Sequence, residues 1–314
     1  SSWMSRYRTE RWVALLVIGL AVAVVILLIG TLTATNAPLD PYNHGDAGTT
    51  RLVDASQEGV VLSYTGIDGG TTPETVIIVG GGGDVTTADV AALTRHLDSG
   101  GRVVILTEDE QSNQLLAALD MKTRIATGYL IATEQGSASP AQFVVADGGD
   151  DVLEFTSVQV NAAKPLGVTD SSDGTTRRVL AWSAPAGRDL SGDGQLRAAE
   201  PRGSYPVAIA EPVGAGEMIV VGDASLLTNG QWQVEGNRQL ARALTKDGAM
   251  LVYPQTTGFP RVTQLRLGLN TPRGTLFGLP IFLSAGMIVI WIGVWLSHRG
   301  HNASDRTGLV FTLR

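Results

Sequence analysis

The chain has 314 residues, a formal net charge of −7 and no cysteine. Without cysteine it can build no disulfide, no thiolate metal site and no cysteine nucleophile. Its acidic balance, with Lys122, Lys164 and Lys246 as the only lysines, disfavours nucleic acid as a partner.

Residues 12–32 (WVALLVIGLAVAVVILLIGTL) carry no charge. As a helix they extend roughly 31 Å, enough to cross the roughly 30 Å hydrocarbon core of a bilayer. The run is longer than a signal-peptide core and no A-x-A site follows it, so an uncleaved transmembrane helix is expected. Residues 276–296 (LFGLPIFLSAGMIVIWIGVWL) form a second such run. Arg6, Arg8 and Arg11 precede the first span, and no Lys or Arg follows it before Arg51. The bias of basic residues toward the cytoplasm therefore puts residues 1–11 inside and residues 297–314 inside with them. Residues 37–272 then form an extracytoplasmic domain at the cell membrane. Arg261, Arg266 and Arg273 on its outer flank oppose this, but long domains cross largely regardless of charge.

Within that domain Ala47 to Glu58 reads as helical and Val60 to Tyr64 as a strand. Val76 to Val79 is a continuous aliphatic run, as expected of a parallel strand covered on both faces. After GGGGD, Thr86 and Asp89 have capping-box spacing, and Val90, Leu93 and Leu97 recur at helical spacing. Gly100-Gly101 stops the helix before a strand at Val103–Leu106. This β–α–β unit and a further helix over Gln111 to Asp120 predict an open α/β sheet. From Tyr129 to Trp182 short apolar runs alternate with Gly, Asp, Ser and Pro, which favours strands, so the second half is β-rich. Tyr205–Glu211 and Glu217–Gly222 read as strands joined across PVGAG, Glu235 to Lys246 as a helix, and Ala249–Tyr253 as the last strand.

Four features invite a chemical reading. The run Gly80–Gly83 lies between strand and helix, where backbone N–H groups favour anions, but Val85 stands where G-x-G-x-x-G needs its third glycine and no G-K-[ST] follows. A tight turn is the expectation. His44 and His96 are the only histidines of the domain, too few for a hydrolase that needs a base beside its nucleophile; His96, late in its helix, is expected to be partly exposed and structural. Asp223, Ser225 and Asn229 follow a strand, where open α/β sheets bind ligands, although such residues also serve as turn and cap partners. Finally, Asp189 to Glu200 (DLSGDGQLRAAE) carries oxygen-bearing side chains at Asp189, Ser191, Asp193 and Glu200, a carbonyl at Gln195 and Gly194 for the sharp turn. That is the register of an EF-hand calcium loop. Arg197 at loop position 9 departs from the pattern, as does the Pro185/Gly187 approach where an entering helix would lie.

The segment YPVAIAEPVGAGEMIVVGDASLLTNGQWQVEGNRQLARAL resembles the signature of the membrane-anchored domain of unknown function 4350 family. Its elements are a Gly-x-Gly turn (Gly214, Gly216), a strand (Met218–Val221), a D-x-S-x-x-x-N loop (Asp223, Ser225, Asn229) and an Asn opening a helix (Asn237). The Lys-poor, acidic composition resembles haloarchaeal members. The resemblance implies a fold like the class I glutamine amidotransferases without their catalytic cysteine. Members tend to be encoded near MoxR-type ATPases, which implies a part in assembling or maturing other envelope proteins. The expected function is a non-enzymatic, membrane-anchored scaffold or partner-binding protein, with other envelope proteins or a second copy as partner. The alternative is a small-ligand or glycan sensor using the crevice at the strand ends.

Overall fold

The computed structural model describes residues 18, 19, 21, 35–61, 64, 67, 74–81, 85–132, 142–145, 157–169, 176–254 and 263. The chain divides into two units, residues 1–267 and 268–314, and the described residues lie in the first. Among them no helix is long and apolar enough to cross a membrane. Apart from Ile18, Gly19 and Ala21, both apolar runs lie outside the described residues.

The fold is α/β. Helix α1 (Thr50–Ser56) passes directly into β1 (Gln57–Val61), because Gln57 takes a left-handed conformation (φ 61°) that ends the helix. The helix is therefore shorter than the sequence suggests and the strand begins earlier. The β–α–β unit is β2 (Thr75–Val79), α2 (Thr87–Asp98) and β3 (Arg102–Leu106). At the start of α2, Thr86 Oγ1 accepts from Asp89 N–H (3.2 Å) and an Asp89 carboxylate oxygen accepts from Thr86 N–H (2.9 Å), which is the anticipated capping box. Helix α3 (Asn113–Ala118) follows a short 3-10 turn.

Next come the strands β4 (Thr123–Ile125), β5 (Tyr129–Ala132), β6 (Gln142–Val145), β7 (Ser157–Gln159), β8 (Leu166–Val168), β9 (Arg178–Ser183), β10 (Ala186–Asp189) and β11 (Arg202–Gly203). The hairpin β12 (Pro206–Val213) and β13 (Gly216–Val221), helix α4 (Glu235–Thr245) and β14 (Ala249–Val252) complete the domain.

Nine of these strands form one sheet in the order β1-β14-β2-β3-β13-β12-β9-β6-β7. The first five run parallel, and β13 onward pairs antiparallel. Because side chains alternate along a strand, the aliphatic runs feed two cores. Ile77, Val79, Val104, Leu106, Ile219 and Val221 meet Leu52 of α1 and Leu240, Ala241 and Leu244 of α4. Val76, Ile78, Val103, Ile105, Met218 and Val220 meet Leu93 and Leu97 of α2 and Leu115 and Leu116 of α3. This double coverage explains why these strands read as unbroken apolar runs.

Two small sheets complete the domain, β11-β10-β5 and β4-β8. The latter is tied to β12 by Glu211, a buried residue in the middle of that strand. Its carboxylate accepts from Lys122 N–H (2.8 Å), Thr123 N–H (2.9 Å) and Thr123 Oγ1 (2.7 Å), and Arg177 Nε lies 3.1 Å away. Burial pushes its pKa up, but these bonds outweigh it and hold the group below the usual glutamate value.

His96 departs from expectation. It is buried, with Nε2 3.2 Å from Arg102 O, because the turn at Gly101 folds over the ring and leaves no space between them. The hairpin turn before β13 packs against the same corner: a Cβ on Gly216 would stand 2.2 Å from Gly101 O and 2.7 Å from Leu97 O. Both obstacles are backbone, so Gly216→Ala is expected to cost about 1–3 kcal/mol, the range for overpacking. Urea unfolding measures it, and an unchanged midpoint would contradict this packing.

Candidate functional site

The three central parallel strands end level with one another. Val79 pairs with Leu106 and Leu106 with Val221, and the ladder continues through Gly80 N–H to Leu106 O and Thr107 N–H to Val221 O, both 2.9 Å. Gly80-Gly81, Thr107-Glu108 and Gly222-Asp223 therefore emerge together at the carboxyl edge, the usual ligand side of an open α/β sheet. A Cβ on Gly81 would lie 1.9 Å from Ser112 Oγ and 2.2 Å from Thr107 Oγ1. This glycine admits a close backbone approach. Gly82 and Gly83 lie outside the described residues. His44 is an exposed loop residue, and among the described residues it belongs to no group of three or more His, Cys, Asp or Glu that could hold a metal.

The polar residues after β13 turn inward. Asp223 is fully buried; one carboxylate oxygen accepts from Ser225 N–H (2.8 Å) and Ser225 Oγ (2.7 Å), the other from Asn161 N–H (2.8 Å). Ser225 thus braces Asp223 rather than capping a helix. Asn229 Nδ2 donates to Asn43 O (2.9 Å) and Gly45 O (2.8 Å), and its Oδ1 accepts from Arg51 N–H (3.0 Å). Asn237 lies inside α4, whose N-cap is Val234, so it does not open the helix. It grips the backbone of β7 instead, accepting from Gln159 N–H (2.7 Å) and donating to Gln159 O (2.8 Å).

Glu108, which the sequence does not single out, stands beside this loop at the end of β3. Its Oε2 accepts from Ala224 N–H (2.8 Å). Burial raises its pKa above the usual glutamate value; the Ala224 bond and Lys164 act against this, and the Asp223 charge reinforces it. Asp223 is raised too, with burial outweighing its hydrogen bonds. Lys164 Nζ bonds Glu110 (2.9 Å) and sits 4.8 Å from the centre of the Tyr129 ring. One carboxyl with a raised pKa, a second buried carboxyl and a lysine thus lie together at the carboxyl ends of the central strands.

The Asp189–Glu200 loop does gather its carboxylates, but onto its own backbone. Asp189 accepts from Ser191 Oγ (2.9 Å), Gly192 N–H (2.7 Å) and Gly194 N–H (2.8 Å). Glu200 accepts from Leu190 N–H (2.9 Å), Ser191 N–H (3.2 Å) and Arg197 N–H (2.8 Å). Asp193 takes Gln195 N–H (3.0 Å) and the Arg197 guanidinium (2.6 Å). Burial pushes Asp189 up, yet the Gly194, Ser191 and Gly192 bonds bring it below the usual aspartate value. Among the described residues no group of three or more His, Cys, Asp or Glu is arranged to hold a metal. A calcium ion here would have to displace these N–H donors.

The profile of one family, Domain of unknown function (DUF4350), matches residues 31–245, about two thirds of the chain, and includes the Asp223–Asn237 motif. The chain belongs to this family. No curated protein matches it. Among solved structures, the N-terminal domain of mmIFT52 is 14% identical with a TM-score of 0.36, covering 53% of this chain and 72% of that one. A ThuA-like protein from Parabacteroides merdae is 12% identical with a TM-score of 0.36, covering 55% and 69%. An exo-β-1,4-mannosidase from Opitutaceae bacterium strain TAV5 is 17% identical with a TM-score of 0.32, covering 57% of this chain and 26% of its own.

In this DUF4350 chain the signal that could have exposed Glu108 is its place two residues past an aliphatic strand, the same offset at which Asp223 follows β13. The two are brought together only by strand order. A carboxyl whose folded pKa is raised costs stability above that pKa and loses the cost as pH falls through it. Glu108→Gln keeps an oxygen for the Ala224 N–H, so it is expected to raise the melting temperature at about pH 7 and to lose that advantage near about pH 4, where a free glutamate is half protonated. A destabilising effect at neutral pH would contradict the assignment.

Proposed function

We propose that this DUF4350 chain is a non-enzymatic, two-span envelope protein whose extracytoplasmic domain binds a partner protein or scaffolds a membrane complex. The observation that carries this reading is the fate of the family motif. Asp223, Ser225, Asn229 and Asn237 all spend their polar atoms on the chain's own backbone and side chains, as residues that maintain a surface would. Five parallel strands with helices on both faces support an amidotransferase-like layering. The chain's two apolar runs and its N-terminal arginines support the topology.

A second reading, a small-ligand or glycan site in the strand-end crevice, is favoured by Lys164 poised between Glu110 and Tyr129 beside Glu108. Copurification of the full chain from native membranes separates the two. A stoichiometric protein partner is the expected result; a retained small molecule without a protein would transfer the assignment to the crevice. Protease shaving of intact cells is expected to remove residues 37–272. Protection in cells together with digestion in inside-out vesicles would reverse the orientation.

Calcium at Asp189, Ser191, Asp193, Gln195 and Glu200 enters this proposal as a weak site, in the range of about 10⁻⁴–10⁻³ M seen in extracellular modules, because the ion must compete with the backbone donors. Millimolar calcium is expected to raise the melting temperature through binding to the folded state, and Asp189→Asn to abolish the rise. An unchanged melting temperature in the parent chain removes calcium from the account.

A further inference from the structure

Thr263, beyond the last strand, meets the segment that enters the domain at a buried point. Asp40 is wholly buried and Thr263 nearly so. Thr263 Oγ1 donates to Asp40 Oδ2 at 2.7 Å across 223 positions of sequence. The other Asp40 carboxylate oxygen accepts from Tyr42 N–H (2.8 Å), and its carbonyl accepts from Asn43 N–H (3.1 Å) and Thr49 N–H (3.2 Å). Asp40 therefore organises the whole entering segment. A second tie lies alongside: Thr49 Oγ1 donates to Leu39 O (3.1 Å) and sits 2.8 Å from the hydroxyl of Tyr253, the residue after β14.

That segment is also what Asn229 holds. Besides the side-chain bonds to Asn43 O and Gly45 O, Asn229 N–H donates to Gly48 O (2.8 Å) and Gly230 N–H to Asp46 O (2.9 Å). Thr228 then bonds Ser225 O, Ser225 bonds Asp223, and Asp223 bonds Asn161 N–H. An unbroken run of hydrogen bonds joins Thr263 to the strand-end crevice.

We propose that the Asp40–Thr263 bond is a clasp closing the two ends of the domain on each other, and that the Asp223–Asn229 loop responds to whether it is shut. When the clasp opens, segment 37–49 loosens and withdraws the carbonyls that hold Asn229, and the loop beside Glu108 is freed. What would pull on it, two tethers running into a bilayer, rests on the proposed topology. The clasp itself does not, since both its residues belong to the domain.

The test is amide hydrogen exchange on the full chain in detergent, comparing Thr263→Val, which keeps the shape and removes the hydroxyl, with Thr263→Ser, which keeps the hydroxyl. In Thr263→Val the amides of Asn229, Gly230 and Asn161 are expected to exchange at least about tenfold faster, with Ile77 and Val104 unchanged, as for a local opening; Thr263→Ser is expected to restore them. Acceleration confined to residues 37–43, or an equal loss of protection throughout the core, would overturn the proposal, as would failure of serine to rescue. Protease shaving reads the topology independently, so either can fail while the other stands.

Discussion

One carboxamide, that of Asn229, lies where the entering segment, helix α1 and the loop after β13 would otherwise part. The carbonyls of Asn43 and Gly45 and the N–H of Arg51 all take this side chain as their partner, and Asn43 and Asn229 are themselves buried. Asn229 supplies donors and an acceptor together, which no aliphatic side chain and no carboxylate can do. Asn237 does the same for β7, matching the N–H and carbonyl of Gln159 as a neighbouring strand would. The sheet brings its own hydrophobic gain, but the positions of the segments around its carboxyl edge depend on these two amides and on Asp223.

That division explains what could be read in advance. The runs Val76–Val79 and Val103–Leu106 announce parallel strands because both faces are covered, and the Thr86/Asp89 box marks its helix because its partners are three residues apart. Local signals of this kind carry the α/β class, the hairpin at Gly214 and helix α4. The insertion of β14 between β1 and β2 is a non-local pairing with no mark in the sequence. The same holds for the motif residues. Asp223, Ser225 and Asn229 are conspicuous by their type and spacing, but their partners at Asn161 and Asn43 lie 62 and 186 positions away. Glu211 was invisible for the same reason: its alternation in β12 says only that it faces one side, and its partners at Thr123 come from another sheet.

Burial sets the electrostatic character of the two carboxyl groups at the crevice. Glu108 and Asp223 follow adjacent strands; burial raises the pKa of both, and the Asp223 charge adds to the shift at Glu108. Glu211 and Asp189 show the opposite balance, in which hydrogen bonds outweigh burial. Asp223 combines the two roles: it braces Ser225 and Asn161, and burial still raises its pKa.

The central claim is that the family motif maintains the fold instead of meeting a ligand. The side-chain NH₂ groups of Asn229 and Asn237 can be followed directly by NMR hydrogen exchange in the folded chain. The account predicts that both exchange slowly, on the timescale of the backbone amides of β2 and β3, because each is released only when the surrounding structure opens. Exchange of either as fast as an exposed carboxamide would contradict it.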